Sequence, residues 1–370
     1  MINNNNYQIY VDCGYSKLRA GAFNKLNLNE VFFSESKFLV DHTEIEKEIQ
    51  RIIIFLEKNT NQYIDDVNLM IDSPKMLSIG ISISKKIDDS QLRETDIQFL
   101  VQEAKQQILQ HYNKQDIVHI IINNYKINDV DYDYLPRDTQ CNFIALDILF
   151  ICLPKTTIEH FKSFFYKLNI SINQITCSSY AKALNYKDNF SLHKNISFID
   201  VGFNKTSIIT YVNNKIISLI ALPIGGNHIT KDISKVLKID LVHAEYLKIN
   251  LENSETLIKN KDFTSELLQE IIFSRIEEIL EICVQSIKSN LNKIEPLKMI
   301  LMGDGSKILD NKYKDKISFT NEINFLEEVI EDICQSGFKL GMGSNKQEVV
   351  VIPKKQRKHG FFERIFHFFK

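Results

Sequence analysis

The sequence predicts an α/β fold built from two related halves. Three observations carry this reading: a strand–turn–strand unit with an aspartate at its mouth occurs twice, strands and helices alternate around the two copies, and 370 residues exceed what one hydrophobic core usually organises. The first copy runs from Tyr7–Val11 through Asp12-Cys13-Gly14-Tyr15-Ser16-Lys17 into Leu18–Phe23. The second runs from Ile196–Ile199 through Asp200-Val201-Gly202-Phe203-Asn204-Lys205-Thr206 into Ser207–Val212. Each reads as a hairpin with a glycine turn, and the repetition predicts an internal duplication.

The elements between follow from periodicity and punctuation. Helices are predicted at Glu44–Glu57, Asp96–Tyr112 and Thr156–Leu168, with strands within Asn68–Ser84 (around Pro74), Ile117–Asn123 and Phe143–Leu153. After the second hairpin, strand Lys215–Leu222 stops at Pro223-Ile224-Gly225-Gly226. Helices follow from near Asn227 through Lys235, at His243–Asn250 and at Thr264–Leu291. Strand Leu297–Met302 opens into Gly303-Asp304-Gly305-Ser306. A helix at Phe325–Gln335 and a stretch punctuated by Gly337, Gly341 and Gly343 close the folded part.

Composition is that of an ordinary globular chain, 44% hydrophobic and 25% charged, and a net charge of −2 gives no global field for nucleic acid. The six cysteines are scattered, without CxxC pairs, and suggest a reduced, intracellular protein. Met1–Asn6 is polar and reads as no signal sequence.

The C-terminal end departs from this balance. Residues 346–370 hold seven Lys/Arg against Glu348 and Glu363. Wound at roughly 100° per residue, the last ten residues send Phe361, Phe362, Ile365, Phe366, Phe368 and Phe369 to one side. Lys354, Lys355, Arg357 and Lys358 precede them. A short aromatic-faced helix behind a basic spacer is expected to lie in an anionic membrane interface; the competing expectation is a helix docked on its own domain. Half-burying these side chains yields about 4–9 kcal/mol before ordering costs. One copy would bind weakly, and many copies on a filament firmly.

A glycine turn between strands lets backbone N–H groups approach phosphate oxygens, and a neighbouring carboxylate can hold a hydrated metal. One Asp-x-Gly is uninformative. Two of them, followed by Gly225-Gly226 at a helix start and Gly303-x-Gly305 after a strand, form a specific ordered set. That set resembles the actin, sugar kinase and heat-shock-chaperone ATPase superfamily and, within it, the FtsA family of bacterial cell-division proteins. Pro223 to Ile233, Ala244-Glu245-Tyr246-Leu247-Lys248 and Ser274 to Ile279 are similar to consecutive FtsA segments, and the tail is similar to that family's membrane-targeting end.

The resemblance implies an actin-like ATPase fold. A first domain would span 1–192 with an insertion subdomain at 73–143. A second would span 193–345 with a helical subdomain at 241–296. A flexible basic linker at 346–360 and an amphipathic helix at 361–370 would follow. It implies ATP and Mg²⁺ as cofactors, with Asp12 and Asp200 flanking the metal through water. Gly14, Ser16, Lys17, Gly202, Lys205, Gly225, Gly226, Glu245, Lys248, Gly303 and Gly305 would lie around the nucleotide. Glu245 and Lys248 read alone are a surface i,i+3 pair. Lys205 is either a phosphate contact or a solvated turn residue. Phe203-Asn204-Lys205 and Asp304 stand where the family carries more open backbone, so hydrolysis is expected to be weak or absent. Arg275 would contribute to binding the FtsZ C-terminal peptide, or pair with Glu278. The implied function is a filament-forming tether of FtsZ polymers at the cytoplasmic face of the inner membrane, recruiting other division proteins. A pilus-assembly actin homologue and a small-molecule kinase are the alternatives.

Overall fold

The computed structural model describes residues 6–37, 44–136, 139–253, 263–291, 297–309, 323–343 and 347–349. The basic spacer and the aromatic tail therefore lie outside the described residues.

Two five-stranded sheets share one construction. In the first, β1 (Tyr7–Cys13), β2 (Lys17–Asn24) and β3 (Val31–Lys37) form an antiparallel meander, and β4 (Asp66–Ile71) and β9 (Ser171–Cys177) add parallel strands, in the order β3-β2-β1-β4-β9. In the second, β10 (Ile196–Val201), β11 (Thr206–Val212) and β12 (Lys215–Leu222) repeat the meander, and β13 (Lys298–Met302) and β14 (Ile323–Phe325) repeat the parallel strands. The registers agree residue by residue. Asp12 stands beside Met70 and Asp200 beside Met302, and each hairpin is closed by a glycine N–H, Gly14 to the Lys17 carbonyl at 3.0 Å and Gly202 to the Lys205 carbonyl at 2.9 Å. The expected duplication is visible at this resolution of detail.

Eight α-helices lie among the described residues. They are α1 (Ile45–Thr60), α2 (Glu94–His111), α3 (Lys155–Lys167), α4 (Ser178–Lys187), α5 (Gly226–Leu237), α6 (Leu241–Ile249), α7 (Ser265–Asn290) and α8 (Ile330–Gly341). Helices α5 and α7 cover the outer face of the second sheet, where Ile199, Val201 and Leu301 join Ile233, Leu268 and Ile272. Alternate residues of the same strands, Phe198, Ile300 and Met302, turn to the inner face and join the core of the first half. Asp200 shares that inward parity, so strand geometry alone aims it at the other half.

A third, antiparallel sheet, β15-β6-β8-β5, carries its own core beneath α2. Its long strands are β5 (Leu77–Gln91), β6 (Gln115–Ile127) and β8 (Gln140–Pro154), with β7 (Val130–Tyr132) folded back on β6. Strand β8 continues beyond 143 to the start of α3.

Two expectations about the end of the folded part change. The helix predicted at Phe325–Gln335 starts at Ile330 and runs through Gly337 to Gly341. These two glycines, one turn apart, are contact surfaces: a Cβ on Gly337 would meet Tyr10 Cδ1 at 2.9 Å, and one on Gly341 would collide with the Tyr10 hydroxyl. Glu348–Val349, assigned to the linker by sequence, form β15 against β6. Glu348 there accepts a 2.5 Å hydrogen bond from Nδ1 of buried His119 and one of 3.2 Å from the Tyr180 hydroxyl. His119 Nε2 accepts from the Cys177 N–H at 2.9 Å, which fixes the ring's tautomer.

Candidate functional site

The two hairpin mouths face each other across a cleft lined by Asp12, Gly14, Ser16, Lys17, Asp200, Gly202 and Lys205. Seven of the residues singled out from the sequence are thus brought together. Sequence reasoning missed five more charged or polar residues here: Arg19, Asp72, Ser178, Lys182 and Glu328. Asp72 and Asp304 are equivalent positions, each two residues beyond the strand residue that flanks the hairpin aspartate.

Every charge in the cleft has an opposite partner. Asp12 accepts from the Ser178 hydroxyl at 2.6 Å and lies 3.3 Å from the Arg19 guanidinium. Arg19 also binds Asp304, which lies 3.0 Å from Lys17. Lys182, buried on α4, sits 2.8 Å from Asp200 and 3.3 Å from Glu328. Lys205 is 2.9 Å from Asp72 and donates to the Ser207 hydroxyl. At 5% exposure Lys205 is no solvated turn residue, and that reading is corrected.

The electrostatics follow from burial and pairing. Burial raises the Asp12 carboxyl, with Arg19 and Lys182 pulling the other way. Burial also raises Glu328, against the pull of Lys182. For Asp72 burial is outweighed by Lys205, and for Asp304 by Arg19 and Lys17, so both carboxyls fall below their ordinary value. Burial disfavours charge on Lys182, yet Asp200 and Glu328 hold its ammonium well above the usual range.

A carboxyl depressed in the folded state stabilises fully above its unfolded value, about 3.9, and loses that contribution as pH falls through the folded value. Replacing Asp304 by Asn should therefore cost about 2 kcal/mol above about pH 5, and the gap from wild type should narrow as pH falls below about 3.9. Urea midpoints of both proteins across that range check it; a gap independent of pH would contradict the ion-pair assignment.

The remaining sequence candidates gather behind the second hairpin rather than in the cleft. Gly225 lies so close that a Cβ would meet the Gly202 carbonyl at 2.5 Å and the Phe203 carbonyl at 2.8 Å. The first amides of α5 are consumed there, Gly226 N–H donating to the Gly202 carbonyl at 2.9 Å and Asn227 N–H to the Phe203 carbonyl at 2.8 Å. Gly303, at φ +94°, and Gly305 pass equally close to Val201. Glu245 and Lys248 are both buried, 2.6 Å apart, and Lys248 also donates to the Gly226 carbonyl at 3.0 Å and the Thr230 hydroxyl at 2.8 Å. The exposed-pair reading of Glu245 and Lys248 is therefore corrected to a buried one. Arg275 bridges α5 and α7 by binding Asp232 at 2.5 Å as well as Glu278.

These positions do not fit a Mg²⁺–nucleotide in the arrangement described. The open cavity is about 80 Å³, against roughly 300–1,000 Å³ for ligand pockets. The cations are paired, the helix-start amides are bonded, and both hairpin aspartates already hold protein cations. Among the described residues no cluster of three or more His, Cys, Asp or Glu is suited to a metal.

Two sheets of matching order and register, facing each other across a hairpin-lined cleft, define the actin-like ATPase fold. The solved PilM–PilN type IV pilus biogenesis complex aligns at a TM-score of 0.59 with 10% identity, covering 88% of this chain and 89% of that one. The ethanolamine utilization protein EutJ of Carboxydothermus hydrogenoformans aligns at 0.52 with 11% identity, covering 90% and 89%. Such likeness concerns the fold alone.

Within this fold the chain is similar to the FtsA cell-division proteins. Residues 197–351 match the family model for cell division protein FtsA. The FtsA of Buchnera aphidicola from Acyrthosiphon pisum is 24% identical over 94% of this chain and 86% of its own length. That of Agrobacterium fabrum is 20% identical, covering 74% and 66%, and that of Bacillus subtilis 26% identical, covering 55% and 49%.

Proposed function

We propose that this chain works as an FtsA-type adaptor, self-assembling through its actin-like body and tethering FtsZ polymers to the inner face of the cytoplasmic membrane, where further division proteins join it. The observation that carries this reading is similarity to FtsA over nearly the whole chain, joined to a C-terminal sequence rich in basic and aromatic residues. Hydrolysis has no part in it, because the cleft carboxylates are committed to internal cations. The Arg275 surface on α7 is our candidate for the FtsZ peptide. No helix among the described residues is long and apolar enough to cross a membrane, and a peripheral attachment through residues 354–369 needs none.

Co-sedimentation tests both contacts. Full-length protein is expected to pellet with anionic vesicles and to bring FtsZ polymers with it. A chain ending at Val349, which keeps β15, should lose at least about tenfold in vesicle binding, as expected when the apolar face and its basic spacer are removed together. Equal pelleting of the two chains would refute the anchor, and failure to co-pellet FtsZ would refute the tether.

A further inference from the structure

The duplication places Lys17 and Lys205 at equivalent turn positions, and Asp72 and Asp304 at equivalent positions after the fourth strand of each sheet. Each lysine reaches the equivalent acid of the other half: Lys17 to Asp304 at 3.0 Å, with Glu35 of its own half farther away at 3.7 Å, and Lys205 to Asp72 at 2.9 Å. Between these reciprocal bridges Lys182, from the first half, holds Asp200 of the second at 2.8 Å. Four lining cations, Lys17, Arg19, Lys182 and Lys205, face five lining acids, Asp12, Asp72, Asp200, Asp304 and Glu328. A polyphosphate would enter a lining with no net positive charge, and must break the bridges to find a cation.

We propose that the crossed pairs Lys17–Asp304 and Lys205–Asp72 are a built-in latch that closes the two halves on each other without a nucleotide, so that the chain holds its assembled shape with Mg²⁺–ATP absent. Within this chain the protein's own cations occupy the hairpin aspartates, and its own carboxylates occupy the turn lysines. The latch does not depend on the adaptor reading, since lipid and FtsZ binding are measured separately from nucleotide binding.

The direct test is a titration of full-length protein with a fluorescent ATP analogue in the presence of Mg²⁺, together with its melting temperature with and without excess Mg²⁺–ATP. The expected result is no saturable binding in the micromolar range and an unmoved melting temperature. A ligand at about 100 times its dissociation constant stabilises a fold measurably, so micromolar binding with a raised melting temperature would overturn the proposal. A mutant cycle tests the bridge itself. Lys205→Met and Asp72→Asn should each lower the melting temperature, and the double variant should lose clearly less than their sum. Strict additivity would overturn the latch. Should these buried variants fail to fold, the wild-type titration alone still decides.

Discussion

Replacing Lys182 by Met is expected to destabilise the protein by about 3–5 kcal/mol, the usual cost of removing one partner from a buried ion pair. The methionine matches the lysine stem in length, so packing on α4 survives. What fails is charge compensation. Asp200 and Glu328, at 4% and 5% exposure, lose the ammonium at 2.8 and 3.3 Å, and Asp12 loses a favourable neighbour. Urea unfolding at neutral pH measures the loss, and adding Glu328→Gln should recover part of it by removing one stranded carboxylate. A loss below about 1 kcal/mol would mean that water, not Lys182, compensates these acids.

Gly225→Ala is expected to cost about 2–3 kcal/mol, comparable to overpacking a well-filled core. The backbone there is extended, φ −172°, and any residue could adopt it. The obstacle is contact: the new methyl meets the Gly202 and Phe203 carbonyls and the Lys205 nitrogen, all backbone atoms, within 3.0 Å. Moving them stretches the two amide bonds that tie α5 to the second hairpin. Gly80→Ala on β5, where nothing lies within 4 Å, serves as the control and should change stability by at most about 0.5 kcal/mol. Equal effects at the two sites would refute the close approach.

The parts of the fold legible in the sequence are those whose signal is local. Both hairpins announce themselves through an apolar strand, an Asp-x-Gly turn and a second apolar strand. Strand β12 ends at Leu222 because Pro223 cannot continue it. Helix α4 passed unnoticed for a physical reason. Ser178, Ser179 and Lys182 are buried along with Tyr180, Ala181, Ala183 and Tyr186, so the helix shows no apolar stripe to read. Lys182 was lost with it. Strand β3 is only partly buried along most of its length, which leaves Val31–Lys37 without a clean alternation. The site was legible only by halves: the hairpins name Asp12, Lys17, Asp200 and Lys205. Which charge meets which depends on contacts such as Arg19 with Asp304, 285 positions apart, and no local pattern encodes those.

The short strand β15 sets where mechanical load enters the molecule. Any pull on the residues beyond Val349 reaches the body first through Glu348, Gln347 and their bonds to β6 and His119. Traction is therefore passed to β6 of the third sheet and, through His119 and Cys177, to the last strand of the first. Load arriving at β15 is thus taken up first by the third and first sheets, and the third sheet passes part of it to the second half through the Asn123 amide to the Ile216 carbonyl and the Leu219 N–H to the Ser78 hydroxyl.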